Sequence, residues 1–468
     1  MRATRFAFIF CIVLALAAGV FALAAWQPAI DPITPPPATG FDPALVQRGA
    51  ELAAIGNCDV CHTAPGAREF EGGVAIPTPF GAVYSTNITP DPDTGIGGWS
   101  EAAFQRAMRK GVRRDGAYLY PAFPYEHFTL VSDGDDKALY AYLMTRRPVH
   151  AAAPDNALSF PFNVRLAMFG WNQLFLRPGP YRADTAHDEI WNRGAYLADG
   201  LGHCGACHTP RNSLGAEKTD DKFAGGEAEG WTAYALNAGS PAPVPWNADS
   251  LFNYLHRGFE DMHGVARGPM ADVAQELRTV PDEDVRAIAT YMAAQMTISG
   301  SGRQVAPQAE AQTRRGVMVA AASADSQAAR SAAASGDEGA AIYAAACAGC
   351  HEGSRTMPYG GIDLALSSGI SGPNANNLVN VVLYGLPAAE AARSPIMPGF
   401  ANSMDDKQLV ALARHLRARF SNKDPWNDIE NSVHEARSAQ RAMTVSHAPA
   451  DQATAPATMQ RKTDEAQR

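Results

Sequence analysis

The chain has 468 residues, enough for about three domains of roughly 150 residues each. Apolar residues make up 46% of the sequence and charged residues 19%, which is the composition of ordinary globular protein. The formal net charge is −9, and an acidic surface repels phosphate, so the composition gives no support for a nucleic-acid partner.

The N-terminus carries an export signal. Arg2 and Arg5 precede an uncharged apolar run from Phe6 to Ala25, and Trp26 closes the run. A cleaved signal has an apolar core of roughly 7–15 residues, whereas about 20 residues span a bilayer as a helix. The length therefore favours an uncleaved membrane anchor over a cleaved signal peptide, with the remainder of the chain facing outward.

Two cysteines followed directly by a histidine recur three times, as "CDVCH" (58–62), "CGACH" (204–208) and "CAGCH" (347–351). These motifs contain six of the seven cysteines, and Cys11 lies in the apolar run. Three interpretations compete: a redox disulfide, structural zinc and covalent haem. A disulfide needs no adjacent histidine, and structural zinc needs four ligands, commonly from two cysteine pairs close together.

Covalent haem uses every member of the motif. The two thiols join the porphyrin vinyl groups, and the histidine becomes an axial ligand of the iron. Three matches that account for all six cysteines outside the apolar run therefore predict three covalently bound haems c. The predicted attachment residues are Cys58, Cys61, Cys204, Cys207, Cys347 and Cys350, and the predicted iron ligands are His62, His208 and His351.

Each motif lies in a repeated helical frame. A stretch with a glycine and large apolar residues precedes it, as in "LVQRGAELAAIGN", and a helix with acidic N-capping residues follows it, as in "SDGDDKALYAYLM". The repeat predicts an all-α fold of three tandem class I cytochrome c-like domains after an N-terminal transmembrane or signal helix. The predicted segments are the signal or anchor helix 1–26, a Pro-rich spacer 27–41, domain 1 at 42–150, an ordered bridge 151–185, domain 2 at 186–298, a flexible linker 299–336, domain 3 at 337–421 and a C-terminal tail 422–468.

An electron-carrying haem needs a second axial ligand, commonly a methionine on the loop before the last helix. Domain 3 offers Met397 in "SPIMPGF", and domain 2 offers Met270 in "ARGPMADV". Either methionine could instead only fill core space. Their loop context favours iron ligation, so we predict both as sixth ligands.

Domain 1 departs from this pattern. Phe123 occupies the place where a methionine is expected, and the nearest donor is His127, which we predict as the sixth ligand. Met108, Met144 and an open coordination site are alternatives. Two histidine ligands would give this haem a lower reduction potential than its methionine-ligated neighbours. A low-potential haem would suit the position at which electrons enter the series of three haems.

The cluster "RAMRKGVRR" (106–114) holds five basic residues in nine. It fits a solvated helix face, and also a docking site for an acidic partner or a set of partners for haem propionates. Near the motifs we find no catalytic triad, carboxylate pair or phosphate-binding loop. The sequence thus predicts an electron-transfer component of an oxidoreductase complex, and no stand-alone catalyst.

The stretch "TPFGAVYSTNITPDPDTGIGGWSEAAFQRAMRKGVRRDGAYLYPAFPY" resembles the first domain of membrane-bound triheme cytochrome c subunits of bacterial dehydrogenases. Such subunits accompany quinoprotein alcohol dehydrogenases, flavin-dependent sugar-acid dehydrogenases and certain molybdenum hydroxylases. The resemblance extends over about residues 27–435. The N-terminal helix predicts a location on the periplasmic face of the bacterial inner membrane if it stays as an anchor, or in the periplasm if it is cleaved.

Three features resemble the branch that serves molybdenum hydroxylases of the nicotinate, isoquinoline and aldehyde type: "YPAFPYEHFT", "LNAGSPAPVPWNADSLFNYLHRGFEDMHGVARGPM" and the "PFNVR…GWNQLF" bridge. This resemblance implies a molybdopterin-containing dehydrogenase subunit and a small 2Fe-2S subunit as partners, with ubiquinone or another respiratory acceptor receiving the electrons. A quinoprotein or flavoprotein alcohol, aldehyde or sugar dehydrogenase is the alternative partner. A haem sensor or peroxidase-like protein is a minor alternative.

Overall fold

The computed structural model describes residues 2–297, 336–352, 361–387 and 395–446. The predicted linker, apart from residue 336, and the last part of the predicted tail lie outside these ranges. The chain forms two compact units. Unit 1 holds residues 2–229, 233–240 and 245–297 of the described chain, and unit 2 holds residues 230–232, 241–244 and the described residues from 336 onward.

Helices dominate the described chain. They are α1 (Arg2–Ala25), α2 (Pro43–Ile55), α3 (Cys58–His62), α4 (Glu101–Lys110), α5 (Tyr125–Phe128), α6 (Asp133–Met144), α7 (Ala167–Phe175), α8 (Glu189–Asp199), α9 (Gly205–His208), α10 (Ala248–Arg257), α11 (Pro269–Leu277), α12 (Asp282–Thr297), α13 (Glu338–Ala346), α14 (Ala348–His351), α15 (Ser368–Ser371), α16 (Asn376–Tyr384), α17 (Asp406–Phe420) and α18 (Ile429–Ser446). The strands are β1 (Ala75–Thr78), β2 (Gly81–Tyr84), β3 (Ala157–Leu158), β4 (Gly226–Ala228), β5 (Trp231–Ala233), β6 (Phe259–Glu260) and β7 (Gly264–Val265).

Short antiparallel sheets supplement the helices, a feature that the all-α prediction did not include. In unit 1, β2 lies between β1 and β3, and β6 pairs with β7. The β1–β2 register runs from Ala75 opposite Tyr84 to Thr78 opposite Gly81. Because every strand has at most four residues, the sheets shape loops and contribute little to the core.

The repeated frame is a pair of crossed helices that meet at a glycine. The pairs are α2 with α6, α8 with α12, and α13 with α17. Only a residue without a side chain lets the backbones approach this closely. A Cβ atom would lie 2.0 Å from the Ala138 carbonyl oxygen at Gly49, 2.0 Å from that of Ala287 at Gly194, and 2.3 Å from that of Ala411 at Gly339.

Side-chain caps begin the helices of this frame. Ser132 accepts a hydrogen bond from the Asp135 backbone N–H at the start of α6, and Asp188 does the same for Trp191 at the start of α8. Asp405 begins α17 with a reciprocal capping box. Each cap satisfies an N–H group that the first helical turn leaves unpaired, so the short polar residues before the apolar periodicity set where these helices begin.

The described residues form two large apolar cores, one in each unit, and a small apolar cluster around Tyr125 and Trp171 in unit 1. Core 1 in unit 1 is built from the inner faces of α2, α6, α8 and α12, and Leu52, Leu139, Leu197 and Val285 in it are almost completely buried. Core 2 in unit 2 is built mainly from α16, α17 and α18. Unit 1 therefore contains the frames of both the first and the second motif, and unit 2 contains the frame of the third.

An ion-pair network joins the first two frames within unit 1. Asp284 on α12 accepts hydrogen bonds from Arg193 on α8 at 2.7 and 2.9 Å and from Arg48 on α2 at 3.1 Å. Burial alone raises the pKa of Asp284, but the hydrogen bonds and charges of Arg193 and Arg48 outweigh burial and hold the pKa below its ordinary value. Asp284 is therefore ionised in the folded protein at neutral pH.

We expect Asp284→Asn to lower the free energy of unfolding by about 2 kcal/mol at pH 7, because hydrogen bonds to a charged acceptor are lost. Since the folded pKa is depressed, this stabilisation is present at pH values above the ordinary pKa of 3.8 and is lost as the pH falls through the folded value. Urea titrations at pH 7 and in acid measure both effects. Asp249→Asn is the control, since the side chain of Asp249 is 85% exposed, and should cost less than about 0.5 kcal/mol.

The basic cluster 106–114 holds the N-terminal spacer against unit 1. Arg106 donates to the Pro28 carbonyl at 2.6 Å, and Arg114 donates to the Ile30 carbonyl at 3.1 Å. The Ile30 N–H returns a bond to the Arg114 carbonyl at 2.8 Å. These two arginines therefore have a structural use that the sequence did not indicate.

The apolar run at the N-terminus forms α1. The ring of Phe21 in this helix packs edge-on against Phe169 of α7, with 5.5 Å between the ring centroids. Across the part of the chain that the structure describes, no helix is both long and apolar enough to cross a membrane.

The predicted bridge, residues 151–185, contains α7. Trp171 donates its indole N–H to the Leu214 carbonyl at 3.1 Å, and Asn172 accepts from the Tyr125 hydroxyl at 2.7 Å. The bridge is thus hydrogen-bonded to both domain 1 and domain 2 within unit 1. In unit 2, the segment predicted as a tail, residues 422–468, contains α18, whose Ile429, Val433 and Ala436 are buried in core 2. The tail therefore contributes to the fold.

Candidate haem sites

Each cysteine–histidine motif forms one helical turn directly after the first helix of its frame. In domain 1, α2 ends at Ile55 and α3 begins at Cys58, with Asn57 between them in the left-handed conformation. In domains 2 and 3 the turns are α9 and α14. The motif histidine is the last residue of the turn in all three cases, so the frame presents cysteines and histidine together on a short, fixed segment.

All three motif histidines point Nδ1 at a backbone carbonyl. A carbonyl oxygen can only accept a hydrogen bond, so Nδ1 carries the proton and Nε2 keeps its lone pair. This arrangement orients a metal-binding imidazole and sets its tautomer. The Nδ1–O distances are 2.7 Å from His62 to Thr86, 2.6 Å from His208 to Tyr234 and 2.8 Å from His351 to Ile362.

The six motif cysteines are free thiols, so the disulfide interpretation gains no support from the structure. Cys58 and Cys204 pack against core 1, and Cys347 packs against core 2. Burial raises the pKa of both Cys58 and Cys204 to about 12, and that of Cys347 to about 11. The thiols therefore adjoin apolar surface of the kind that a porphyrin ring requires.

A threonine after the motif braces the first two sites, which sequence reasoning missed. Thr63 accepts a hydrogen bond from the Phe70 N–H at 2.9 Å, and Thr209 accepts from the Phe223 N–H at 3.1 Å. Both phenylalanines are buried and have positive φ angles of 61° and 59°, which are rare for large side chains. The sequence signal for this threonine is "CHT", which the first two motifs share, whereas the third motif continues as "CHE" at 350–352.

The first two motifs lie close together inside unit 1. His203, directly before Cys204, places Nε2 3.3 Å from the Gly56 carbonyl oxygen, two residues before Cys58. A Cβ atom on Gly56 would lie 3.2 Å from the Cys58 sulfur and 3.6 Å from Leu201. Burial lowers the pKa of His203 to about 4, so it is neutral at physiological pH and donates to that carbonyl. Cofactors held by these motifs would therefore be neighbours.

The predicted methionine ligands lie at the edges of the cores. Met270, in the first turn of α11, is half-buried against core 1. Met397 is half-buried against core 2, and its backbone pairs with Leu386 at 2.8 and 3.0 Å. Phe123 packs against Phe128 with ring centroids 5.1 Å apart. Iron ligation by either methionine stays a prediction.

His127 engages both ring nitrogens with protein groups. Nδ1 lies 2.7 Å from the Asp199 carbonyl oxygen, and Nε2 lies 2.7 Å from Oε1 of Glu217. Burial opposes the charged form of His127, but the bond and charge of Glu217 outweigh it and raise the pKa. Met108 and Met144, the alternatives, are buried in core 1 on α4 and α6. Iron ligation by His127 would therefore compete with an ion pair to Glu217.

These features fit haem c at each motif: paired thiols, a histidine with a free Nε2, and adjoining apolar surface. The family model described as "Cytochrome C oxidase, cbb3-type, subunit III" matches residues 334–416, which include the third motif.

Curated relatives match most of the chain. It is 45% identical to a nicotinate dehydrogenase component of Pseudomonas putida over 88% of this chain, but spans only 33% of that relative. It is 37% identical to the fructose dehydrogenase cytochrome subunit of Gluconobacter japonicus, over 86% of this chain and 85% of the relative. It is 35% identical to the cytochrome c subunit of the quinone alcohol dehydrogenase of Gluconacetobacter polyoxogenes, over 82% of each.

Fold, motifs and comparisons together define a c-type cytochrome that holds haem covalently. More particularly, the chain belongs to the family of cytochrome c subunits of bacterial dehydrogenases. The predictions of covalent haem c and of an electron-transfer subunit in a dehydrogenase complex are confirmed at this level.

Proposed function

We propose that this protein is a triheme cytochrome that carries electrons from a molybdenum hydroxylase, which oxidises an N-heterocycle or an aldehyde, to ubiquinone or another respiratory acceptor. Covalently bound haem supplies one-electron redox chemistry. The chain's own residues attach it through paired thiols, orient its histidine ligand and surround it with apolar side chains.

One observation supports the assignment of three haems. Each motif histidine directs Nδ1 at a carbonyl from a different loop, 24, 26 and 11 residues further along the chain. An arrangement built three times from unrelated loop sequences indicates three working sites, because a vestigial motif would have no need of a fixed tautomer. The proposal therefore assigns one haem c to each motif.

The identity of the catalytic partner rests on the sequence relationships. The 45%-identical relative is a subunit of a nicotinate dehydrogenase, which favours a molybdopterin subunit and a small 2Fe-2S subunit as partners. A second candidate is a quinoprotein or flavoprotein dehydrogenase. It is favoured by the relatives that this chain spans over 82–86% of their own length, which are named for fructose, gluconate and alcohol dehydrogenases.

Purification of the native complex tests both parts of the proposal. A haem assay in alkaline pyridine should find about three haems per chain if each motif is occupied. Metal analysis and cofactor extraction of the same sample should find molybdenum and iron–sulfur. Recovery of pyrroloquinoline quinone or flavin without molybdenum would support the second candidate, and a haem content near one would contradict the triheme assignment.

We also propose that the chain works at the periplasmic face of the inner membrane. Support comes from the basic residues before the apolar N-terminal run and from the attachment chemistry of haem c, expected on that side. Fractionation with and without carbonate washing should leave haem-stained chain in the membrane fraction. Full release into the soluble periplasm would indicate a cleaved signal peptide.

A further inference from the structure

His127 lies in domain 1, yet it contacts the second motif. A Cβ atom built on Gly205, the residue after Cys204, would lie 3.1 Å from Cε1 of His127 and 3.1 Å from Oε2 of Glu217. The imidazole and the carboxylate therefore cover the start of α9. The last residue of that turn is His208, the predicted iron ligand of the second motif.

Both ring nitrogens of His127 lie at hydrogen-bond distance from acceptor oxygens of the protein. The Asp199 carbonyl oxygen can only accept, so Nδ1 carries a proton. The Glu217 carboxylate lies 2.7 Å from Nε2, on the side of the ring from which this nitrogen would bind iron. The side chains of His127 and Glu217 are only 12% and 16% exposed, so the pair is largely shielded from competing water.

The two contacts connect three parts of unit 1. His127 belongs to α5 of domain 1, Asp199 ends α8 of domain 2, and Glu217 lies in the loop after the second motif. Asp199 is itself fixed, because its carboxylate accepts from Lys222 and from the Tyr291 hydroxyl, each at 2.7 Å. A shift of His127 would thus be transmitted to both ends of the second motif.

We propose that His127 and Glu217 are a positioning pair that fixes the second haem-binding motif against domain 1, in place of iron ligation by His127. This inference rests on the proposed function, since positioning matters only if the second motif holds haem. It assigns the first haem a sixth ligand other than His127.

Two variants test the pair, each read by haem spectra and by redox titration. Glu217→Gln keeps the histidine, and His127→Gln removes it. In both, every haem should keep its parental low-spin spectrum, because no iron ligand is lost. One haem should shift in midpoint potential by an amount equivalent to about a tenfold change in its one-electron equilibrium, roughly 59 mV. The midpoint potential of this haem should shift no further in the double variant than in either single variant, because the two residues act as one unit.

The outcomes separate the possibilities. A high-spin haem that binds carbon monoxide in His127→Gln, but not in Glu217→Gln, would identify His127 as an iron ligand and overturn the proposal. Unchanged potentials in both variants would overturn it as well. If His127→Gln does not fold, Glu217→Gln alone decides through its potential. Asp249→Asn is the matched control, because Asp249 is an exposed partner of Arg286 in unit 1. This variant should leave every haem potential unchanged. Haem content of the parent protein tests the proposed function separately.

Discussion

The variant Gly194→Ala should lose about 3 kcal/mol of unfolding free energy and should fail to retain haem at the second motif. The added methyl group would lie 2.0 Å from the Ala287 carbonyl oxygen and 2.8 Å from Cβ of Tyr291. The obstructing atoms include backbone of α12, so no rotamer change relieves the clash and α8 and α12 must separate. α8 ends at Asp199, five residues before Cys204, so the movement reaches the attachment thiols.

Thermal melting and the haem-to-protein ratio measure the two effects. Gly170→Ala is the matched control, because Gly170 lies within α7 and an added Cβ there has no atom within 4 Å. Alanine favours a helix by up to about 1 kcal/mol relative to glycine, so this control should be neutral or slightly stabilising. Parental melting and haem content in Gly194→Ala would show that α8 and α12 can repack, and would contradict the crossed-helix explanation of the repeat.

The sequence predicted this helix frame because the frame is local. A glycine inside the first helix, a capping residue before the last helix and a fixed motif between them recur three times along the chain. Gly49 and Gly194 occupy equivalent places in "QRGAEL" and "NRGAYL". Periodicity and capping are properties of neighbouring residues, so a sequence reveals them directly.

The histidine acceptors could not be predicted. Thr86, Tyr234 and Ile362 share no residue type, since only their backbone carbonyl is used. Any residue offers such a carbonyl, and the choice among them depends on where the loops turn. The chemistry of haem alone therefore predicts that Nδ1 of each motif histidine carries the proton. Only the structure shows which backbone carbonyl accepts it.

His127 illustrates a different limit. The absence of a methionine at Phe123 made His127 the nearest donor along the chain, and proximity in sequence suggested ligation. Its partner Glu217 is 90 residues away and belongs to the second domain. Long-range ion pairs leave no local pattern in a single sequence, so the competing role for this imidazole was not visible. Arg106 was missed for the same reason, since its acceptor Pro28 is 78 residues away.

Replacing both Cys347 and Cys350 with alanine should remove about one third of the covalent haem and leave the rest in place, because one of three attachment sites is lost. The third motif lies in unit 2 with its own core, whereas the first two motifs lie in unit 1. Unit 1 should therefore keep its haem spectrum. Core 2 should be destabilised, since Cys347 packs against it and the apolar surface beside the motif loses its cofactor.

Haem staining of denaturing gels and the pyridine assay measure the loss, and Cys11→Ala is the matched control. Cys11 lies within α1 and belongs to no motif, so its replacement should leave the haem-to-protein ratio unchanged. A parental ratio in the double variant would show that the third motif carries no haem, reducing the protein to a diheme cytochrome. Loss of all haem would show instead that attachment in unit 1 depends on unit 2, and would contradict this prediction.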